Sequence, residues 1–135
     1  MRRLTILAVM LLAGPALAQD AEDRAEIAEV IEDQLSDFVA RDVAGAWDHA
    51  SPTIQGMFGT PERFARMVEG GYPMVWDNRD AEMGALREED GALRQAVRVE
   101  DAEGRGWLLD YEMVETPEGW RINGVGVRPA PDLAA

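Results

Sequence analysis

One histidine and two hydroxyl–proline pairs stand close together in HASPTIQGMFGTP, from His49 to Pro61. A hydroxyl held by a base is the material of nucleophilic catalysis, but the spacing favours another use. A Ser or Thr that accepts a backbone N–H, followed by proline at the first helical position, starts a helix. Ser51-Pro52 and Thr60-Pro61 both fit that pattern, so neither hydroxyl is required as a nucleophile. His49 ends a short helical stretch three residues before Pro52, where an imidazole meets free backbone carbonyls. The chain has no cysteine, and a lone histidine does not make a metal centre. No Gly-x-Ser-x-Gly elbow, phosphate loop, dinucleotide fingerprint or calcium loop occurs. No catalytic residue, cofactor or metal is therefore assigned.

Polar groups on apolar strand faces are sharper candidates. Leu93, Gln95, Val97 and Val99 share one face, and Trp107, Leu109, Tyr111 and Met113 share another. An amide on such a face must find backbone, water or ligand as a partner, and a tyrosine hydroxyl there can donate to a ligand oxygen. Isomerase-type chemistry would need an opposed carboxylate or histidine, yet Asp110 and Glu112 alternate to the other side. Tyr72, Trp76, Gln95, Trp107 and Tyr111 form the candidate lining for a small apolar ligand. Ordinary core packing, with the tyrosine hydroxyls hydrogen-bonded at its edge, is the favoured account of the same aromatics.

The elements that must position these residues follow from periodicity. Ile27, Val30, Ile31, Leu35, Phe38 and Val39 recur at helical spacing between Asp20 and Arg41, predicting one long amphipathic helix with Asp20 as N-cap. Asp42 caps a short second helix through about Ala50. The two hydroxyl–proline pairs open short helices ended by Gly59 and by Gly70-Gly71. Beyond Pro73 the period becomes alternating. Turn signals at Asp90-Gly91, 101–104 and 116–120 separate four strands near 81–88, 92–100, 105–115 and 120–128. Gly124 and Gly126 in the last strand permit curvature or close approach of a helix. The expected fold is α+β, with N-terminal helices packed on a curved antiparallel sheet of about four strands. Such a sheet wrapped around the first helix makes a cone with a cavity at its wide end.

The first eighteen residues have a separate logic. Arg2 and Arg3 precede an apolar run from Leu4 to Ala13, and Gly14-Pro15 leads to Ala16-Leu17-Ala18. This reads as a secretory signal cleaved between Ala18 and Gln19, too short for a spanning anchor. Residues 19–135 then form one domain, secreted or periplasmic. Loss of Arg2 and Arg3 leaves eleven basic residues, all arginine, against 26 acids, a net charge near −15. That sign disfavours nucleic acid and anionic membranes.

The segments VIEDQLSDFVARDVAGAWDHASPTIQGMFGTPERFARMVEGGYPMVW and YEMVETPEGWRINGVGVRP resemble the bacterial family called domain of unknown function 4864. The order of long helix, short helices and curved sheet is similar to the nuclear-transport-factor-2-like, or cystatin-like, superfold. That superfold holds isomerases, dehydratases and cyclases beside many binding and dimerising modules, so the resemblance implies no particular reaction. The expectation is a small-ligand-binding or protein-interaction module, capable of homodimerising through the open sheet face. The alternatives are an isomerase or lyase using the cone cavity, and a structural accessory with an acidic partner surface.

Overall fold

A computed structural model describes the backbone of residues 14–131 and the side chains of residues 20–131. The Arg2-Arg3 pair, the apolar run from Leu4 and the side chains at the Ala18–Gln19 junction lie outside the described residues. Five helices precede four strands: α1 (Gly14–Ala40), α2 (Val43–Asp48), α3 (Pro52–Phe58), α4 (Pro61–Gly71), α5 (Pro73–Trp76), β1 (Arg79–Glu89), β2 (Ala92–Glu100), β3 (Gly106–Thr116) and β4 (Gly119–Pro129). The strands form one antiparallel meander in the order β1-β2-β3-β4, so the class is α+β.

The inner sheet face and one stripe of α1 make the core. Ile27, Ile31, Leu35 and Phe38 of α1 pack with Val97, Val99, Leu109, Tyr111, Met113, Trp120 and Ile122, all buried. Val39 is the exception to the expected stripe: it is 52 % exposed, and Gln34 is buried on the core side instead. Asp20 is not the N-cap, because α1 in the full chain begins at Gly14 and runs through the Ala-Leu-Ala segment, residues that favour helix on their own. The helix ends on Arg41 in the left-handed region, φ 61°, with Asp42 N–H donating to Asp37 O at 2.8 Å, a Schellman-type ending. Helix α5 was not expected. Pro73 starts it, and the Arg41 side chain holds its end by donating to Trp76 O at 2.8 Å.

Capping follows the sequence closely. Asp42 accepts from Gly45 N–H at 3.0 Å, Ser51 from Ile54 N–H at 3.2 Å and Thr60 from Arg63 N–H at 3.2 Å. Gly59 ends α3 at φ 79°, a conformation that costs glycine little.

Three irregularities curve the sheet. In β1 the register slips twice, between Arg79 and Glu82 and between Met83 and Leu86. In β4 it slips at Asn123, since Met113 pairs with Ile122 while Glu112 pairs with Gly124. Such bulges bend and twist a strand. The β4 bulge also resets the alternation: Trp120 and Ile122 face the core before it, and Val125 and Val127 oppose Tyr111 and Leu109 after it.

Candidate ligand pocket

Helices α3 and α4 meet β3 and β4 around an apolar pocket of about 250 Å³. Phe38 of α1, Ile54, Met57 and Phe58 of α3, and Phe64, Met67 and Val68 of α4 supply one wall. Tyr111, Ile122, Gly124 and Val125 supply the sheet side, and Gln34, Tyr72 and Val75 complete it. The volume exceeds the ~150 Å³ of an apolar protein cavity known to stay dry and admit benzene. Met57 is 68 % exposed and marks the mouth. Phe64 is the aromatic hub of the helical wall, with ring centroids 5.7 Å from Trp47 and 5.9 Å from Phe38 and Phe58.

Local chemistry fixes the α3 wall at its N-terminal end. Ala50 pairs with Ile122 as a short parallel bridge at the edge of β4. Ser51, fully buried, caps α3 and donates its hydroxyl to Asn123 Oδ1 at 2.7 Å. Asn123 in turn donates from Nδ2 to Glu112 Oε2 at 2.8 Å. The bulged residue thus joins the third helix to the outer sheet face.

Polar chemistry within the pocket is sparse. Among the described residues, the polar side chains on the lining are Gln34, Tyr72 and Tyr111, and none is an aspartate, glutamate, arginine or histidine. Gln34 donates from Nε2 to Ala46 O at 3.0 Å, tying α1 to α2. Tyr111 is 1 % exposed, and its hydroxyl has no hydrogen-bond partner among the described residues. Burial pushes that hydroxyl well above the ordinary tyrosine range, so it stays neutral at physiological pH. The wall therefore offers shape, apolar surface and a phenolic hydrogen bond, and no carboxylate or imidazole for moving a proton.

A family model described as domain of unknown function, DUF4864, matches residues 20–135. The chain belongs to that family. Comparison with curated proteins and with solved structures finds no match. The DUF4864 match spans every residue that forms the pocket.

Of the five residues singled out in the sequence, this DUF4864 domain brings Tyr72 and Tyr111 together on the pocket and places three elsewhere. Gln95 is buried, but its Nε2 donates to Gly84 O at 3.0 Å and Ala96 O at 2.9 Å. Its partner is backbone, beside the β1 bulge. Trp76 lies under the Arg41 guanidinium, 4.2 Å from ring centroid to Cζ. Trp107 donates from Nε1 to Asp101 Oδ2 at 2.8 Å. Asp101 also accepts from the Glu103 and Arg105 N–H groups at 2.9 Å, and these bonds, Trp107 foremost, hold its carboxyl at about 2.

Gln34, Ile54, Met57, Phe58 and Met67 were not anticipated as pocket residues. Gln34 had a readable signal, because it falls four residues after Val30 and four before Phe38 on the core stripe. The others carried only an apolar signal shared with any core residue.

His49 keeps its structural place, with Nδ1 2.8 Å from Gly45 O. Asp110 and Glu112 point outward as the alternation requires. Arg87 grips Asp110 through two bonds of 2.9 and 2.8 Å, which lowers the Asp110 carboxyl below its ordinary range. Arg94 lies 3.4 Å from Glu112.

Proposed function

We propose that this protein is exported and acts outside the cytoplasm as a small-ligand-binding module. The observation that carries the reading is the 250 Å³ apolar pocket lined in part by Tyr111, whose buried hydroxyl has no partner among the described residues. An apolar lining with a few convergent polar groups is usual for ligand sites. Export rests on the arginine pair, the short apolar run and the Ala-x-Ala junction at Ala18. None of the described helices is long and apolar enough to cross a membrane.

An isomerase or lyase using the same pocket is less well supported, since proton abstraction needs a base in reach and the described lining residues offer no carboxylate or imidazole. A protein partner on the outer sheet face is also less well supported. There Arg87, Arg94, Asp110 and Glu112 already pair with one another.

Native mass spectrometry of the chain recovered gently from a bacterial periplasm tests the reading. A mature mass beginning at Gln19, with extra small-molecule mass released on unfolding, is expected. A clean protein mass, whether monomer or dimer, would count against the ligand and turn attention to the sheet face.

A further inference from the structure

We propose that the pocket takes an uncharged, largely apolar molecule carrying a hydrogen-bonding oxygen, and that the Tyr111 hydroxyl is the group that meets this oxygen. The inference rests on the ligand-binding reading above and narrows it to a chemical class.

Three observations converge on it. The first is the absence of charge: among the described residues, the lining contains no ionisable side chain besides its two tyrosines. A carboxylate or ammonium entering it would shed water and find no counter-charge, which is costly in an apolar site. Fatty acids, amino acids and phosphorylated metabolites are therefore poor occupants at this depth.

The second is the orphan hydroxyl. Buried polar groups are nearly always hydrogen-bonded, and an exception asks for an explanation. Gln95 on the adjacent strand illustrates the rule, since its amide is satisfied twice by backbone. Tyr111 lies beside it in register, equally buried, yet its hydroxyl has no partner among the described residues and is closed off from solvent, so a ligand oxygen reaches it by displacing a neighbouring side chain of the lining. An oxygen supplied by the ligand would offset the cost of leaving that hydroxyl unmade.

The third is the neutral state of the phenol. Because burial keeps it protonated, it can donate to a carbonyl or ether oxygen and exchange hydrogen bonds with an alcohol, without presenting charge to an apolar ligand. The surrounding Phe38, Phe58, Phe64 and Met67 side chains provide polarisable contact for a ring or branched hydrocarbon body.

The test uses three probes of similar shape: acetophenone, α-methylstyrene and benzoate. They replace a carbonyl by an alkene or add a carboxylate charge while keeping the ring. Each is titrated by calorimetry and by methyl NMR into the mature chain and into Tyr111→Phe. The Phe variant keeps the ring and deletes an unsatisfied hydroxyl, so its fold, checked by thermal melting, is expected to be intact. Comparing the two proteins probe by probe cancels the difference in how well water holds each probe. The expected result is roughly tenfold weaker acetophenone binding in Tyr111→Phe, little change for α-methylstyrene, and no benzoate binding in the pocket. If both neutral probes bind and neither senses Tyr111→Phe, the oxygen-bearing class is wrong while the pocket reading stands. If benzoate binds as well as acetophenone, the uncharged class is wrong. If neither neutral probe binds or shifts the pocket methyls, the pocket reading itself fails.

Discussion

Three buried or half-buried polar residues, each on the inner face of a strand or at its end, were read alike from sequence and prove to have different jobs. Gln95 is a structural amide, satisfied by the carbonyls of Gly84 and Ala96. Gln95→Leu is expected to lower stability by about 1–3 kcal/mol, because at least one buried carbonyl loses its donor, while leaving acetophenone binding unchanged; urea denaturation and the same titration check both halves. Trp107 serves a turn. Its indole N–H and two backbone N–H groups converge on Asp101, which holds the carboxyl at about 2 against an ordinary 3.8. A carboxyl lowered on folding contributes stability that is fully present above its unfolded value and is lost as pH falls toward the folded one. The urea midpoint of the parent should therefore drop between about pH 4 and pH 2 more steeply than that of Asp101→Asn; parallel curves would refute the Asp101 contribution. Of the three, Tyr111 lines the pocket and has a hydroxyl without a partner among the described residues. Alternation put Gln95 among the apolar residues of its strand face and Tyr111 among those of its own, but nothing local to Gln95 or Tyr111 says which face the helices cover or which residue has a carbonyl opposite it. That depends on where the neighbouring strand bulges.

At the scale of elements, the caps were legible because they are local. Asp42, Ser51 and Thr60 each meet an N–H three residues on, a relation written in the sequence itself. The bulges were not. Alternation carried on from Trp120 and Ile122 would turn Gly124 and Gly126 inward, and only the extra residue Asn123 returns Val125 and Val127 to the core face. The same residue fastens α3 through Ser51. Helix α3 has no buried residue of its own, so this end contact carries much of its placement. Ser51→Ala is expected to cost about 1–3 kcal/mol, combining a lost cap with an Asn123 carbonyl left without its donor. A double-mutant cycle with Asn123→Ala should show coupling between the two. Amide exchange should quicken across residues 52–58 in Ser51→Ala before it does in β2 or β3. Helix α5 escaped the sequence reading because four residues are too few for periodicity, and its end is held by Arg41, far away in the chain.

For the molecule as a whole, the α+β class and strand order were readable because helical and alternating periods occupy separate halves of the chain. The pocket was not readable, since it is built from apolar residues of α1, α3, α4, β3 and β4 that look like any core until the elements are assembled. The DUF4864 membership names relatives without assigning a reaction, so the function rests on this arrangement. The most direct measurement is a methyl NMR titration of residues 19–135 with acetophenone. Binding in the pocket predicts shifts concentrated on Ile54, Met57, Met67, Val68, Ile122 and Val125, with the core methyls of Val97 and Val99 little moved. Saturating probe that leaves those six residues unshifted, or moves only methyls on the outer sheet face such as Leu108, would contradict the account.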